Sequence, residues 1–501
     1  MVRIPDFWQS GEFVAEDGWV FFADAWNHPF PESLALTYAG YFHLVPRLVA
    51  AFWSAWPLLW QPSAYAATGL VLNAGILSAF YLPVFRKILE PDRARLVVVL
   101  FFALAPNAEN LGLILGLHWY LAFGLTLILL VPLPVNPGAR IAVFLLVLLS
   151  VWSSPSALVL APVAFLAWTR SRNPSERLLH AVICGMLLLA GILIGLIRLK
   201  SGDRTGSFEW MDAIVSLDRL VLRGWIGVGL LGPRLAGYLA GECPPVLDLF
   251  TLGVFITLIV VLWRNRAQPF ARRAAIILGV ALLMLLFSLT RTAYLAELAR
   301  LALPRNVRYL TTSTLLLYAG LGIIAYHPWP GLTRRFLAPL VVLSAGLLAT
   351  ALPGQVHWSR PVRWFHWREA IPAINELKAR YARDGQPASL YVPADIPYWG
   401  PVLEVGGGRK IPPEAGLVDA IGATPDPQGG FDSWLGRFAR PGEGNWIQHQ
   451  VWGRIEFTGV EHGRVFFRDP AGRLMFTSPL VFPRLWILDG FTWTYFQPSP
   501  R

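Results

Sequence analysis

Charge is scarce in this chain. Only 15% of its 501 residues are Asp, Glu, Lys or Arg, and 55% are hydrophobic. Soluble globular domains carry roughly 25% charged residues, so the shortage excludes an ordinary soluble fold. Stretches such as 247–262 and 274–289 hold almost no charge and approach the roughly 20 apolar residues that a membrane-crossing helix needs. Cysteine is scarce too. Cys184 falls inside an apolar run and Cys243 beside Pro244-Pro245, contexts that argue against a disulfide. No CxxC or His/Cys cluster marks a zinc site. The first residues lack the basic segment and apolar core of a cleavable signal peptide. Internal repeats and low-complexity tracts are absent as well.

What is present fits a polytopic membrane protein. The 22 tryptophans suit anchoring at the membrane–water interface. The net charge of +11 is explained by arginines in cytoplasmic loops rather than by a nucleic-acid partner. Arginine-rich connectors occur at 86–95, 170–177, 264–273 and 334–335. By the positive-inside rule all four face the cytoplasm. About ten spans satisfy them: 64–85, 93–110, 111–133, 139–153, 154–169, 178–198, 247–263, 274–290, 309–326 and 336–352. Residues 1–63, 199–246 and 291–308 and the C-terminal region then lie outside. Residues 1–40, with six acids and one arginine, suit an external tail.

The stretch 139–169 is short for two full spans, and Ser153-Ser154-Pro155 interrupts it. Two short helices meeting at a recessed outer cavity explain it, because irregular backbone is tolerated where it lines water. One long kinked helix is the rival reading.

Residues 353–501 are polar and rich in Gly and Pro. Here 367–384 reads as an amphipathic helix, with Ile371, Ile374, Leu377 and Tyr381 at helical spacing. Residues 388–393 read as a strand, and 465–477 as a hairpin around Asp469-Pro470-Ala471-Gly472. The expected fold is therefore mainly α: a transmembrane helical bundle over 1–352, with an external acidic loop at about 1–63, and an extracytoplasmic α+β domain over 353–501.

Glu16 and Asp17 are adjacent carboxylates in a short polar segment ahead of the first span. Neighbours in sequence cannot face each other across a bond as acid and base. One working carboxylate with a supporting neighbour is the functional reading, and solvated loop acids the plain one. Arginine suits phosphate because its planar fork donates two hydrogen bonds, which draws attention to Arg47, Arg305 and Arg308. His43, Tyr309 and Arg204 are further options. The plain alternatives are snorkelling for Arg47, an interfacial anchor for Arg308 and a polar linker around Arg204. Glu109 and His118 flank an external turn between two spans, and ionisable groups at membrane depth default to functional hypotheses. Glu16, Asp17, Glu109 and His118 offer donor atoms for a divalent cation without a supporting ligand pattern, so no metal or other cofactor is expected.

Glu16-Asp17-Gly18, followed by Tyr38-Ala39-Gly40-Tyr41 and Pro46-Arg47, resembles the first external loop of bacterial GT-C superfamily glycosyltransferases. Relatives by fold include protein O-mannosyltransferases and lipid A aminoarabinose transferases. Further similarities are Pro106-Asn107-Ala108-Glu109 with His118-Trp119, Ser153-Ser154-Pro155-Ser156-Ala157, and Arg305-Asn306-Val307-Arg308-Tyr309. The resemblance covers roughly 13–352 and extends to an external C-terminal domain. It departs from the family pattern in having no span among residues 1–15.

The resemblance implies a bacterial inner-membrane enzyme that works on the external face. A polyprenyl-phosphate sugar is the donor and an envelope glycan, lipid or protein the acceptor. The transfer is inverting. An acceptor hydroxyl is a weak nucleophile and needs a carboxylate base, a role that falls to Asp17 with Glu16 in support. Phosphate is a good leaving group, and cations assist its departure. Arg47, Arg305 and Arg308 would supply them, with His43, Tyr41, Tyr309 and Arg204 nearby and Glu109 and His118 lining the cavity. A transporter or lipid flippase is the alternative. The low charge of the spans and the lack of paired broken helices in two halves weigh against it.

Overall fold

The computed structural model describes residues 13, 17–38, 40–106, 111–132, 136–171, 173–201, 219–289, 310–327 and 343–348, and beyond them a set of helical residues between 367 and 383 and nine strands. The chain divides into two compact units. One comprises 39–45 and 68–358 with 1–5; the other comprises 6–38, 46–67 and 359–501.

The first unit is helical. Helices occupy the expected spans from 93–110 through 309–326, as Asp92–Leu104, Leu117–Leu129, Pro137–Ser153, Ala161–Arg170, Pro174–Ser201, Pro244–Arg264, Pro269–Leu289 and Thr311–Tyr326. Among the described residues, three helices are long and apolar enough to cross a membrane: Pro174–Ile197, Pro244–Arg264 and Pro269–Phe287. This is the signature of a membrane protein. Of the last expected span, 336–352, only 343–348 is described, and it is helical.

Two helices form the centre. Leu117–Leu129 is buried along its whole length and Thr311–Tyr326 along most of its own. Their polar groups are satisfied locally or across the core. The Thr312 hydroxyl donates to the Trp119 carbonyl (2.8 Å) and the Tyr318 hydroxyl to that of Gly229 (2.6 Å). The outer helices behave oppositely. Leu188, Ile192, Leu249 and Trp263 are all exposed. Apolar side chains turned outward on long apolar helices are what a lipid-facing surface requires.

The stretch 137–170 is two legs and not one rod. Helix Pro137–Ser153 and segment Pro155–Arg170 meet at 117°. Ser154 is extended (φ −128°, ψ 110°), the conformation that a following proline imposes. Pro155 then opens a 3-10 turn, Pro155–Leu160, where its missing N–H costs nothing. A second break falls at Gly232 (φ 75°), immediately before Pro233.

The second unit holds the acidic segment, the helix ends 46–53 and 61–67, and the C-terminal region. Its strands are β1 (Ala388–Tyr391), β2 (Val402–Val405), β3 (Val418–Ile421), β4 (Trp446–His449), β5 (Gly453–Glu461), β6 (Arg464–Arg468), β7 (Leu474–Thr477), β8 (Leu485–Asp489) and β9 (Thr492–Phe496). The first seven form one sheet in the order β2-β1-β7-β6-β5-β4-β3. β1 and β7 are parallel; the other pairs are antiparallel. The expected hairpin is β6–β7, in register Phe466↔Phe476. Along the expected amphipathic helix, Trp367 and Ile374 are buried while Asn375, Lys378 and Arg383 are exposed.

Candidate functional site

Asp17 opens a short π-helical segment, Asp17–Phe22, and is only 2% exposed. It is therefore not a solvated loop acid. Two things seal it. Gly18 lies under Phe13 so closely that an added Cβ would sit 2.7 Å from the Phe13 Cβ. No other residue leaves room for that approach. Phe13 in turn stacks on Phe22 (4.7 Å between ring centroids) and meets Tyr65 and Trp367 edge-on at 5.0 and 4.8 Å. Tyr65 is buried, and its hydroxyl lies within electrostatic reach of the Asp17 carboxylate.

Trp367 is the C-terminal contribution. Its indole N–H donates to the Leu58 carbonyl (2.6 Å), and its ring packs edge-on against Phe22 at 5.1 Å. One helical stretch further on, the Lys378 ammonium sits 4.3 Å from the centroid of the Trp26 ring. An amphipathic helix from the far end of the chain thus covers the acidic segment.

Arg47 is placed by the helix Leu44–Trp53 and is 1% exposed. Burial excludes the snorkelling alternative. One guanidinium nitrogen, Nη1, donates to Asp24 Oδ2 (2.7 Å) and to the Ser33 carbonyl (3.1 Å). The group also lies 5.7 Å from the centroid of the Phe21 ring. Nε and Nη2 are buried and have no hydrogen-bond partner among the described residues.

The ion pair is not comfortable. Burial raises the Asp24 carboxyl above its ordinary range despite the opposing pull of Arg47 and His28, and burial lowers Arg47 despite Asp24. The short contact and these directions pull against each other. The guanidinium keeps its proton, and for both partners desolvation outweighs the mutual attraction.

The first unit gathers a second group. Tyr41, His43 and His118 are all buried. Ring centroids are 3.9 Å apart for Tyr41–His43, 6.3 Å for Tyr41–His118 and 6.0 Å for His43–His118. His118 Nδ1 lies 2.5 Å from the Leu115 carbonyl. A carbonyl can only accept, so Nδ1 carries the proton, and in the neutral ring Nε2 keeps its lone pair. Close by in sequence, the Val45 N–H donates to Ser153 Oγ (2.8 Å), which ties the chain after His43 to the bend at Ser154. No group of three His, Cys, Asp or Glu able to hold a metal occurs among the described residues.

Of the residues singled out from sequence, Asp17 and Arg47 share one unit, and Tyr41, His43 and His118 form one cluster in the other. Glu16, Glu109, Arg204, Arg305, Arg308 and Tyr309 lie outside the described residues. Asp24, Tyr65, Phe13 and Trp367 were not anticipated. Phe13 and Gly18 flank the acidic pair in sequence, which was the available signal; Trp367 had none. No protein-family model, curated protein or solved structure matches this chain.

Proposed function

We propose that this chain is a membrane glycosyltransferase that moves a sugar from a polyprenyl-phosphate donor to an envelope acceptor. The observation that carries the reading is the buried Arg47 guanidinium, whose Nε and Nη2 have no partner among the described residues. Two adjacent N–H donors in a fixed fork match the oxygens of a phosphate. Their burial without hydrogen bonds costs free energy that a bound anion would recover. Asp17, buried near Tyr65 in the same unit, supplies the carboxylate.

In this reading the acceptor hydroxyl attacks the anomeric carbon from the face opposite the phosphate. Its proton passes to the Asp17 carboxylate as the new glycosidic bond forms. The bond between the anomeric carbon and phosphate oxygen breaks, and polyprenyl phosphate leaves with the electron pair. The leaving charge is met by Arg47. Glu16 supports Asp17, and Arg305, Arg308, Tyr309 and Arg204 add donor contacts. Tyr41, His43, His118 and Glu109 are further candidate substrate contacts.

The chain is placed in the bacterial inner membrane with about ten crossings. Asp17 and an α+β domain over 353–501 then lie on the external side. Packing of Trp367 against Phe13 and Phe22 supports a shared side for both.

A transporter or lipid flippase is favoured by one observation, the two interrupted helices at Ser154 and Gly232. Discontinuous helices recur in transporters. The deciding experiment is sugar transfer by the purified full chain from radiolabelled polyprenyl-phosphate sugars. Arg47→Lys, which keeps the charge and loses the fork, should weaken donor affinity roughly 10- to 150-fold, the equivalent of about 1.5–3 kcal/mol for hydrogen bonds to a charged group. Absence of transfer from every such donor, with lipid or sugar translocation in vesicles instead, would establish the transporter.

A further inference from the structure

A pocket of about 180 Å³ opens between four segments of the helical unit. Its interior is apolar, walled by Ile88, Leu130, Val163 and Ile276. Two arginines complete the lining: Arg170, the last residue of Ala161–Arg170, and Arg273, in the first turns of Pro269–Leu289. Both are exposed, and neither forms an ion pair among the described residues. Some other connector cations are engaged, Arg86 with Asp92, Arg177 over Trp168 and Arg266 over Trp263.

Three of the lining segments reach arginine-rich connectors that the positive-inside rule puts on a single face, and the fourth, the end of the span 111–133, falls on that face by the parity of the crossings. Ile88 belongs to the connector at 86–95, Leu130 to the end of its span, Arg170 to the connector at 170–177 and Arg273 to that at 264–273. They are separated by up to 185 residues of chain, yet line one pocket. An apolar slot with two uncompensated cations at membrane level selects its occupant by exclusion. A free phosphate would find the arginines but waste the apolar wall. A neutral lipid would fill the wall but leave the arginines unmet. Basic pockets between spans on the cytoplasmic side take acidic headgroups.

We propose that this pocket binds one anionic phospholipid of the inner leaflet, its phosphate held between Arg170 and Arg273 and an acyl chain lying along Leu130, Val163 and Ile276. The proposal rests on the membrane reading and is independent of the sugar-transfer reading.

The test uses the full chain in detergent, so it does not depend on which way the protein is inserted. Native mass spectrometry would measure retention of phosphatidylglycerol and of phosphatidylcholine with the same chains. The parent should retain phosphatidylglycerol preferentially. Arg170→Ala/Arg273→Ala should lower phosphatidylglycerol affinity by on the order of tenfold and leave phosphatidylcholine unchanged, as expected for the loss of two cations at an anionic surface. Both residues are exposed, so the folded state should survive, which an unchanged melting temperature would verify. Ala167→Trp, which fills the slot and keeps both arginines, should reduce retention of either lipid. Inorganic phosphate in large excess should leave the lipid in place. Equal retention of the two lipids by the parent, full phosphatidylglycerol retention by the double variant, or displacement by inorganic phosphate would each overturn the proposal.

Discussion

Two arginine–aspartate pairs of this chain make the same contact in opposite surroundings. Arg47–Asp24 is 2.7 Å long with side chains 1% and 16% exposed; Arg86–Asp92 is 2.9 Å long with side chains 53% and 45% exposed. Hydrogen bonds from Arg86 and then Arg95 hold the Asp92 carboxyl below its ordinary range. Burial drives Asp24 the other way in spite of its arginine. Distance alone would rank the pairs as equals. Desolvation separates them: the exposed pair is an inexpensive clasp on a connector, and the buried one is a charge kept where it costs free energy. A costly buried cation with unused donors is what an anion-binding site needs.

The widest separation should come in turnover. Asp17→Asn keeps size and much of the hydrogen bonding but removes the proton acceptor. Single-turnover sugar transfer should fall about 10²–10⁴-fold, while Asp92→Asn on the connector leaves it unchanged. A parental rate for Asp17→Asn would remove the base assignment. If Glu16→Gln alone is inactive, the two carboxylates exchange roles.

Stability comes next. Asp24→Ala strands a buried guanidinium and should cost about 3–5 kcal/mol, read from tryptophan fluorescence on denaturation. Arg86→Ala should leave the same curve unmoved. Equal effects would mean that burial does not set the pairs apart. Gly18→Ala forces a methyl against the Phe13 Cβ and should destabilise by about 1–3 kcal/mol. Its diagnostic is increased solvent access of the covering indole, Trp367, by acrylamide quenching.

The smallest effect is in pH, and its sign differs between the pairs. Asp24 is raised, so its contribution to stability is fullest below the unfolded carboxylate range and is lost as pH rises through the raised value. Asp92 is lowered, so its contribution is present above that range and is lost as pH falls through the lowered value. The stability gap between parent and Asp24→Asn should therefore narrow as pH rises, and that between parent and Asp92→Asn as pH falls. Melting curves across the acid range test this, and parallel trends would contradict it.

Much of the helical architecture was legible because apolar runs and proline positions are local signals. The break at Ser154 follows from Pro155, and hairpin β6–β7 from two β-rich runs around Asp469-Pro470-Ala471-Gly472. The site was legible only in part. Arg47 stood out by residue type, but its partner did not. Asp24 lies seven residues after Asp17, close to two full turns on an ordinary helical wheel at roughly 100° per residue. That wheel does not apply, because the chain runs through a π-helical segment at Asp17–Phe22. Tyr41 and His118 come together across a sequence separation that no periodicity encodes. Trp367 reaches Phe13 and Phe22 only through tertiary packing.

The π-helical segment at Asp17–Phe22 has a consequence for length variation. Wide turns of this kind hold one residue more than an α-helix would. Between Asp17 and Ala23 the chain thus contains a removable unit. Deleting Val20 would let the segment relax to ordinary α-helical pitch, with no loss of backbone hydrogen bonding. Because the wide turn absorbs the extra residue, Asp17 would keep close to its bearing relative to Asp24 and Trp26. The segment should therefore tolerate the loss of one residue better than a regular α-helix, in which a deletion turns everything before it by about 100° around the axis.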